Sequence, residues 1–76
     1  MARIARNGAK VRLNLDMPEA LRLKLENLRE QTDAESLSEV IRRSLAVYDF
    51  LWQEKSKGAT TIIKDEDGKE RELVLL

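Results

Sequence analysis

From its N-terminal end the chain alternates, turns helical twice, and then alternates again. In Lys10–Asp16 (KVRLNLD), Val11, Leu13 and Leu15 fall on every second position, between Lys10, Arg12 and Asn14. An extended chain places residues i and i+2 on one face. The segment therefore predicts a strand with an apolar face and an opposite face of two cations and an amide. A lone strand leaves its backbone groups unpaired. The next stretch of chain is helical, so the expected partner is the same strand of a second copy.

Asp16-Met17-Pro18-Glu19 reads as a helix start. Asp16 is expected to cap, Pro18 suits the first turn, and Glu19 stands three residues after the cap as in a capping box. Leu21, Leu25 and Leu28 then form one stripe at i, i+4 and i+7, with Leu23 off it. Arg22 and Arg29 with Glu26 and Glu30 line the wet side at spacings that allow weak pairs. A polar stretch, Gln31 to Glu35, ends this helix without a glycine.

Ser36 or Ser38 opens a second helix, and Ser36 with Glu39 forms another capping box. Leu37, Val40, Ile41, Leu45, Tyr48, Leu51 and Trp52 keep one face apolar over several turns. One short neighbouring helix cannot cover so wide a face, so part of it is expected in a subunit interface. Tyr48 and Trp52 read as packing residues. Gly58, after Ser56-Lys57, is the expected left-handed cap. Beyond it, Thr60-Thr61-Ile62-Ile63 is β-branched and Glu70 to Leu76 alternates before an apolar end, with the Asp67-Gly68 turn signal between them. These residues predict a β-hairpin. The chain thus divides into a flexible basic arm (1–9, with Asn7-Gly8 as breaker), a strand–helix–helix unit (10–57) and a hairpin extension (58–76).

Seventy-six residues make one domain whose core is marginal, a deficit that small domains commonly meet by oligomerising. Cysteine and histidine are absent, which removes disulfides, thiol chemistry, zinc fingers and histidine acid–base catalysis. Asp65, Glu66 and Asp67 cluster at the expected hairpin tip with a spacing unlike a calcium loop. With no phosphate-binding glycine loop either, the expectation is a protein that is not an enzyme and holds no metal or cofactor. No apolar run approaches the roughly 20 residues of a membrane span, and the N-terminal residues lack a signal-peptide core. A soluble, cytoplasmic protein with no membrane partner is expected.

Formal net charge is zero, yet the charge is unevenly spread. Arg3, Arg6, Lys10 and Arg12 give the first twelve residues +4, and the remaining 64 carry 10 bases against 14 acids. Screening over about 8–10 Å keeps the distant acids from cancelling that local potential.

The order strand, helix, short turn, longer helix, with a serine pair at the second helix start, resembles the ribbon-helix-helix DNA-binding family. That family includes the Arc and methionine repressors and the plasmid copy-number regulators. The resemblance spans about Lys10 to Leu51 and rests on VRLNLDMP, at the strand-to-helix junction, and on SLSEVIRRSL, similar to the family's Ser-x-Ser-Glu-apolar-Ile-Arg signature. Two positions depart from it. Ala34 stands where the family often has glycine, and Asp16 occupies the third outward strand position. There it could accept from a cytosine amine, but capping is the preferred role.

The resemblance implies a mainly α fold with a short N-terminal strand. Two subunits would intertwine, their strands forming an antiparallel ribbon that enters the major groove, with the C-terminal hairpin outside the shared core. Arg12 and Asn14 would point at base edges, with Lys10 at the ribbon's end. Arginine suits guanine O6 and N7, and asparagine suits adenine N7 and N6. The amides and hydroxyls of Ser36, Leu37 and Ser38 would hold a phosphate. Arg42 and Arg43 follow one turn later, and the family's arginine at the Arg42 position would be structural as much as DNA-facing. Arg3 and Arg6 would follow the phosphate backbone or reach a minor groove. Leu13, Leu15, Leu21, Leu25, Leu28, Val40, Ile41 and Leu45 would form the shared dimer core. Beside these roles stand plainer ones: a solvated strand face for Lys10, Arg12 and Asn14, ordinary helix capping for Ser36–Ser38, and a disordered tail for 1–9.

The implied function is a sequence-specific double-stranded-DNA-binding repressor or autoregulator of prokaryotic type, a homodimer able to assemble further on DNA. The competing expectation is an antitoxin. The residues after Gly58 carry five acids against three bases and end in Leu73-Val74-Leu75-Leu76, so they could augment the sheet of a toxin protein.

Overall fold

The computed structural model describes residues 10–76. The basic arm 1–9, with Arg3 and Arg6, lies outside the described residues. Two helices and one two-stranded antiparallel sheet run in the order α1 (Glu19–Gln31), α2 (Leu37–Ser56), β1 (Thr61–Lys64) and β2 (Glu70–Leu73).

Helix α1 is built from good helix formers, EALRLKLENLREQ, with no glycine and no β-branched residue. Its start departs from the expected capping box. Pro18, in an extended conformation (φ −61°, ψ 151°), is the flanking residue, and no side chain caps the helix. The Pro18 carbonyl accepts from Leu21 N at 3.0 Å and Arg22 N at 3.2 Å. Asp16 is therefore not the cap. Capping from Asp16 would require Met17 to be helical, and the ring of a following proline disfavours that conformation. Glu19 accordingly does not reach back; it pairs with Arg22 at 2.6 Å, and Arg22 also pairs with Glu26.

At the other end of α1, Asp33 N donates to Glu30 O and Ala34 N to Arg29 O (2.9 Å), with Asp33 in the left-handed region at φ 59°. This is a Schellman closure in which aspartate takes the position that glycine usually holds. The turn needs no glycine at Ala34, which is one of two buried apolar residues among those described. Helix α2 opens as the sequence predicts. Ser36 Oγ accepts from Glu39 N at 3.1 Å, and Glu39 Oε1 accepts from Glu35 N at 2.6 Å. Its far end repeats the Schellman geometry, with Gly58 at φ 93° and Ala59 N donating to Glu54 O at 3.0 Å.

The hairpin pairs Thr61 with Leu73, Ile62 with Glu72, Ile63 with Arg71 and Lys64 with Glu70. Asp65 organises its turn. Its carbonyl accepts from Gly68 N, its Oδ1 accepts from Asp67 N and Lys69 N (3.0 Å each), and Gly68 supplies the left-handed residue at φ 87°. This is a three-residue hairpin loop closed by a positive-φ glycine. One link to the helices is Lys55 Nζ, which donates to Leu75 O at 2.8 Å and lies 5.0 Å from the Trp52 ring centre.

Packing within the chain is sparse. Ala34 and Val40, at the junction of the two helices, are the buried apolar residues among those described. The radius of gyration is 16.4 Å, against about 11 Å for a compact chain of this length. The chain is thus an open frame with no enclosed core among the described residues. No helix among the described residues is long and apolar enough to cross a membrane.

Candidate nucleic-acid interface

The segment Lys10–Pro18 forms neither helix nor strand within the chain, and neither α1, α2 nor the hairpin pairs with it. Lys10, Arg12 and Asn14 are exposed, and so is the apolar set between them: Val11 at 91%, Leu13 at 76% and Leu15 at 60%. Three alternating apolar side chains in water are costly. Each is worth about 1.5–3 kcal/mol when fully buried, so the segment has a strong drive to find cover. Covering that face leaves the two cations and the amide outermost.

At the start of α2, Ser36, Leu37 and Ser38 come together as the cap and the first two helical positions. Ser36 Oγ is occupied by Glu39 N, but the amides of Leu37 and Ser38 have no acceptor among the described residues. Such amides, at the positive end of a helix, can hold an anionic oxygen. Two carboxylates, Glu35 and Glu39, stand near them in the chain. Glu39 is held below the ordinary glutamate range, chiefly because it accepts the Glu35 amide, with the charges of Arg43 and Arg42 adding to the effect. It therefore stays ionised and opposes an incoming phosphate, while Arg42 and Arg43 one turn on offset it. Arg43 is tied into the fold. It donates to Thr32 O at 3.2 Å and pairs with Glu39 at 3.0 Å. Arg42 is exposed.

The residues expected in a dimer core divide sharply. Val40 is buried and Leu25 half-buried, whereas Leu13, Leu15, Leu21, Leu28, Ile41 and Leu45 are exposed within the chain. Leu25, Ile41, Leu45 and Tyr48 line one open apolar groove together with Ser44. A second groove, lined by Leu45, Tyr48, Asp49 and Trp52, continues it along α2. The helical stripe is therefore present as a continuous surface with Val40 at its inner margin.

Two large side chains fall outside the stripe that the sequence pattern marks. Val47 and Phe50 are 59% and 62% exposed. Their spacing of three is a helical neighbour pair, the only signal that could single them out. The tie that Arg43 makes back to α1 is another feature that the sequence pattern does not mark. The bond to Thr32 spans eleven positions and has no periodic signature. Among the described residues no three metal-ligating side chains converge, and Asp65 is engaged in its own turn. Compared with family models, curated proteins and solved structures, the chain matches none.

Proposed function

We propose that this chain is a homodimeric ribbon-helix-helix protein that binds double-stranded DNA in a sequence-specific manner and represses or autoregulates transcription. The observation that carries the reading is the uncovered apolar surface shared by the Lys10–Asp16 segment and helix α2. Leu13, Leu15, Ile41 and Leu45 are all exposed within the chain. A twin subunit covers both at once by pairing the two segments antiparallel and laying helix against helix. That pairing brings two copies of Lys10, Arg12 and Asn14 onto one outer face.

In this arrangement Arg12 and Asn14 read base edges in the major groove, each good bidentate pair giving about 1–3 kcal/mol of discrimination. Lys10 supports them at the ribbon's end. The free amides of Leu37 and Ser38, with the Ser36 and Ser38 hydroxyls, hold the flanking phosphates and set the register. The basic first twelve residues supply the local field, with Arg3 and Arg6 on the DNA backbone. Such a protein acts in the cytoplasm of a prokaryotic cell and needs no cofactor. The C-terminal residues form their own closed hairpin, which favours repression over service as an extended toxin-binding tail.

The test is Arg12→Ala and Asn14→Ala in the full chain. Sequence preference in DNA binding is expected to be lost in each, with the thermal melt of the dimer nearly unchanged. Normal binding of the selected site by both variants would sink the reading.

A further inference from the structure

The hairpin is the part of the chain that the DNA-binding reading leaves without a task. Two strands of four residues are marginal alone. Here Ile62 and Ile63 remain 48% and 46% exposed, and Leu73 is 38% exposed. Its two outer edges differ. Asp65 N donates to Lys69 O, so 65 and 69 form a hydrogen-bonded pair. Bonded pairs alternate along an antiparallel ladder, so Ile63–Arg71 and Thr61–Leu73 are bonded as well. The amides and carbonyls of Ile62 and Lys64 therefore point outward from β1, and those of Glu70 and Glu72 outward from β2.

Charge decides which edge can pair. The β2 edge carries Glu70 and Glu72, so a symmetric β2–β2 contact sets glutamate against glutamate. A β1–β2 contact is not self-limiting and propagates as an open chain. The β1 edge, Thr60-Thr61-Ile62-Ile63-Lys64, is β-branched and carries its one charge, Lys64, at its end. Paired antiparallel about Ile62, it sets Ile62 against Ile62 and Lys64 against Thr60, with no like charges opposed.

We infer that the hairpin pairs edge to edge, β1 to β1, with the hairpin of a second copy, closing a four-stranded sheet that joins two DNA-binding dimers. The joining of dimers rests on the helical dimer proposed above. A crossed α2 contact centred on Ile41 and Leu45 carries the C-terminal ends away from its axis on opposite sides, so each hairpin meets one from another dimer. The sheet places Ile63 and Leu73 of both copies on a single face.

Sedimentation velocity of the full chain without DNA reads the number of chains per particle. Ile62→Pro removes an outward amide and leaves the bonded pairs of the hairpin in place; Glu72→Pro does the same on the opposite edge. Wild type and Glu72→Pro are expected as four chains and Ile62→Pro as two. The chain has no cysteine, so Ile62→Cys alone is expected to give disulfide-linked pairs on mild oxidation. Equal masses for wild type and Ile62→Pro, or a parallel fall in Glu72→Pro, would overturn the inference. A fall in Ile62→Pro from two chains to one would uphold the edge pairing and reject the helical dimer instead.

Discussion

Arg43 donates from Nη1 to the carbonyl oxygen of Thr32 at 3.2 Å, reaching from α2 back to the residue that closes α1. The same guanidinium pairs with Glu39 Oε2 at 3.0 Å, and Glu39 in turn accepts the Glu35 amide. One side chain thus fixes the entry of α2 relative to the end of α1. It thereby fixes where the free amides of Leu37 and Ser38 stand. Its neighbour Arg42 makes no such tie among the described residues, and in the proposed DNA-binding role it is the arginine left to meet a phosphate.

The two arginines should separate in mutation. Arg43→Ala is expected to cost about 1 kcal/mol of stability, below the usual range for a charged hydrogen bond because the site is exposed. Arg42→Ala should stay within about 0.5 kcal/mol of wild type and weaken DNA binding instead. Urea denaturation with a DNA titration of each variant checks both halves. Equal destabilisation by the two would remove the distinction.

Asp33 holds the left-handed position that ends α1, at φ 59°. Glycine adopts that conformation without a Cβ penalty, so Asp33→Gly is expected to raise stability by about 0.5 kcal/mol. Asp33→Val should lower it by about 1 kcal/mol or more. The order of the urea midpoints, glycine above aspartate above valine, is the check.

Glu39 and Glu19 give the acid limb its sign. Both are held below the ordinary glutamate value near 4.5, Glu39 chiefly by the Glu35 amide and Glu19 by the hydrogen bond and charge of Arg22. A carboxyl whose folded pKa is depressed stabilises the fold above its unfolded pKa, and that contribution is lost as pH falls through the folded value. Stability should therefore be flat from neutral pH down to about 5 and decline below it. Glu39→Gln should flatten the Glu39 share of that decline. An unchanged acid limb in Glu39→Gln would contradict the assignment.

Local features of the fold are legible in the sequence because their chemistry is complete within a few residues. Ser36 with Glu39, Gly58 after the last turn of α2, and Asp67-Gly68 in the hairpin each specify a conformation without reference to the rest of the chain. The start of α1 reads wrongly at Asp16 because two local rules compete there. The capping pattern favours Asp16, but the steric effect of Pro18 on Met17 overrides it. Asp33 carries little signal, since aspartate marks a left-handed turn far more weakly than glycine does. The tie from Arg43 to Thr32 is tertiary and has no period to read. The candidate site is legible as residue types, Lys10, Arg12 and Asn14 in alternation. Its assembly rests on the proposed pairing of two chains, which leaves no periodic signal within one chain.

Selection from random duplex DNA with the purified full chain reads the proposed two-fold ribbon itself. Enriched sites are expected to be inverted repeats, reflecting a two-fold symmetric ribbon, and to be lost when Arg12→Ala and Asn14→Ala are combined. Recovery of no enriched sequence, or of the same sites by that double variant, would contradict the proposed ribbon.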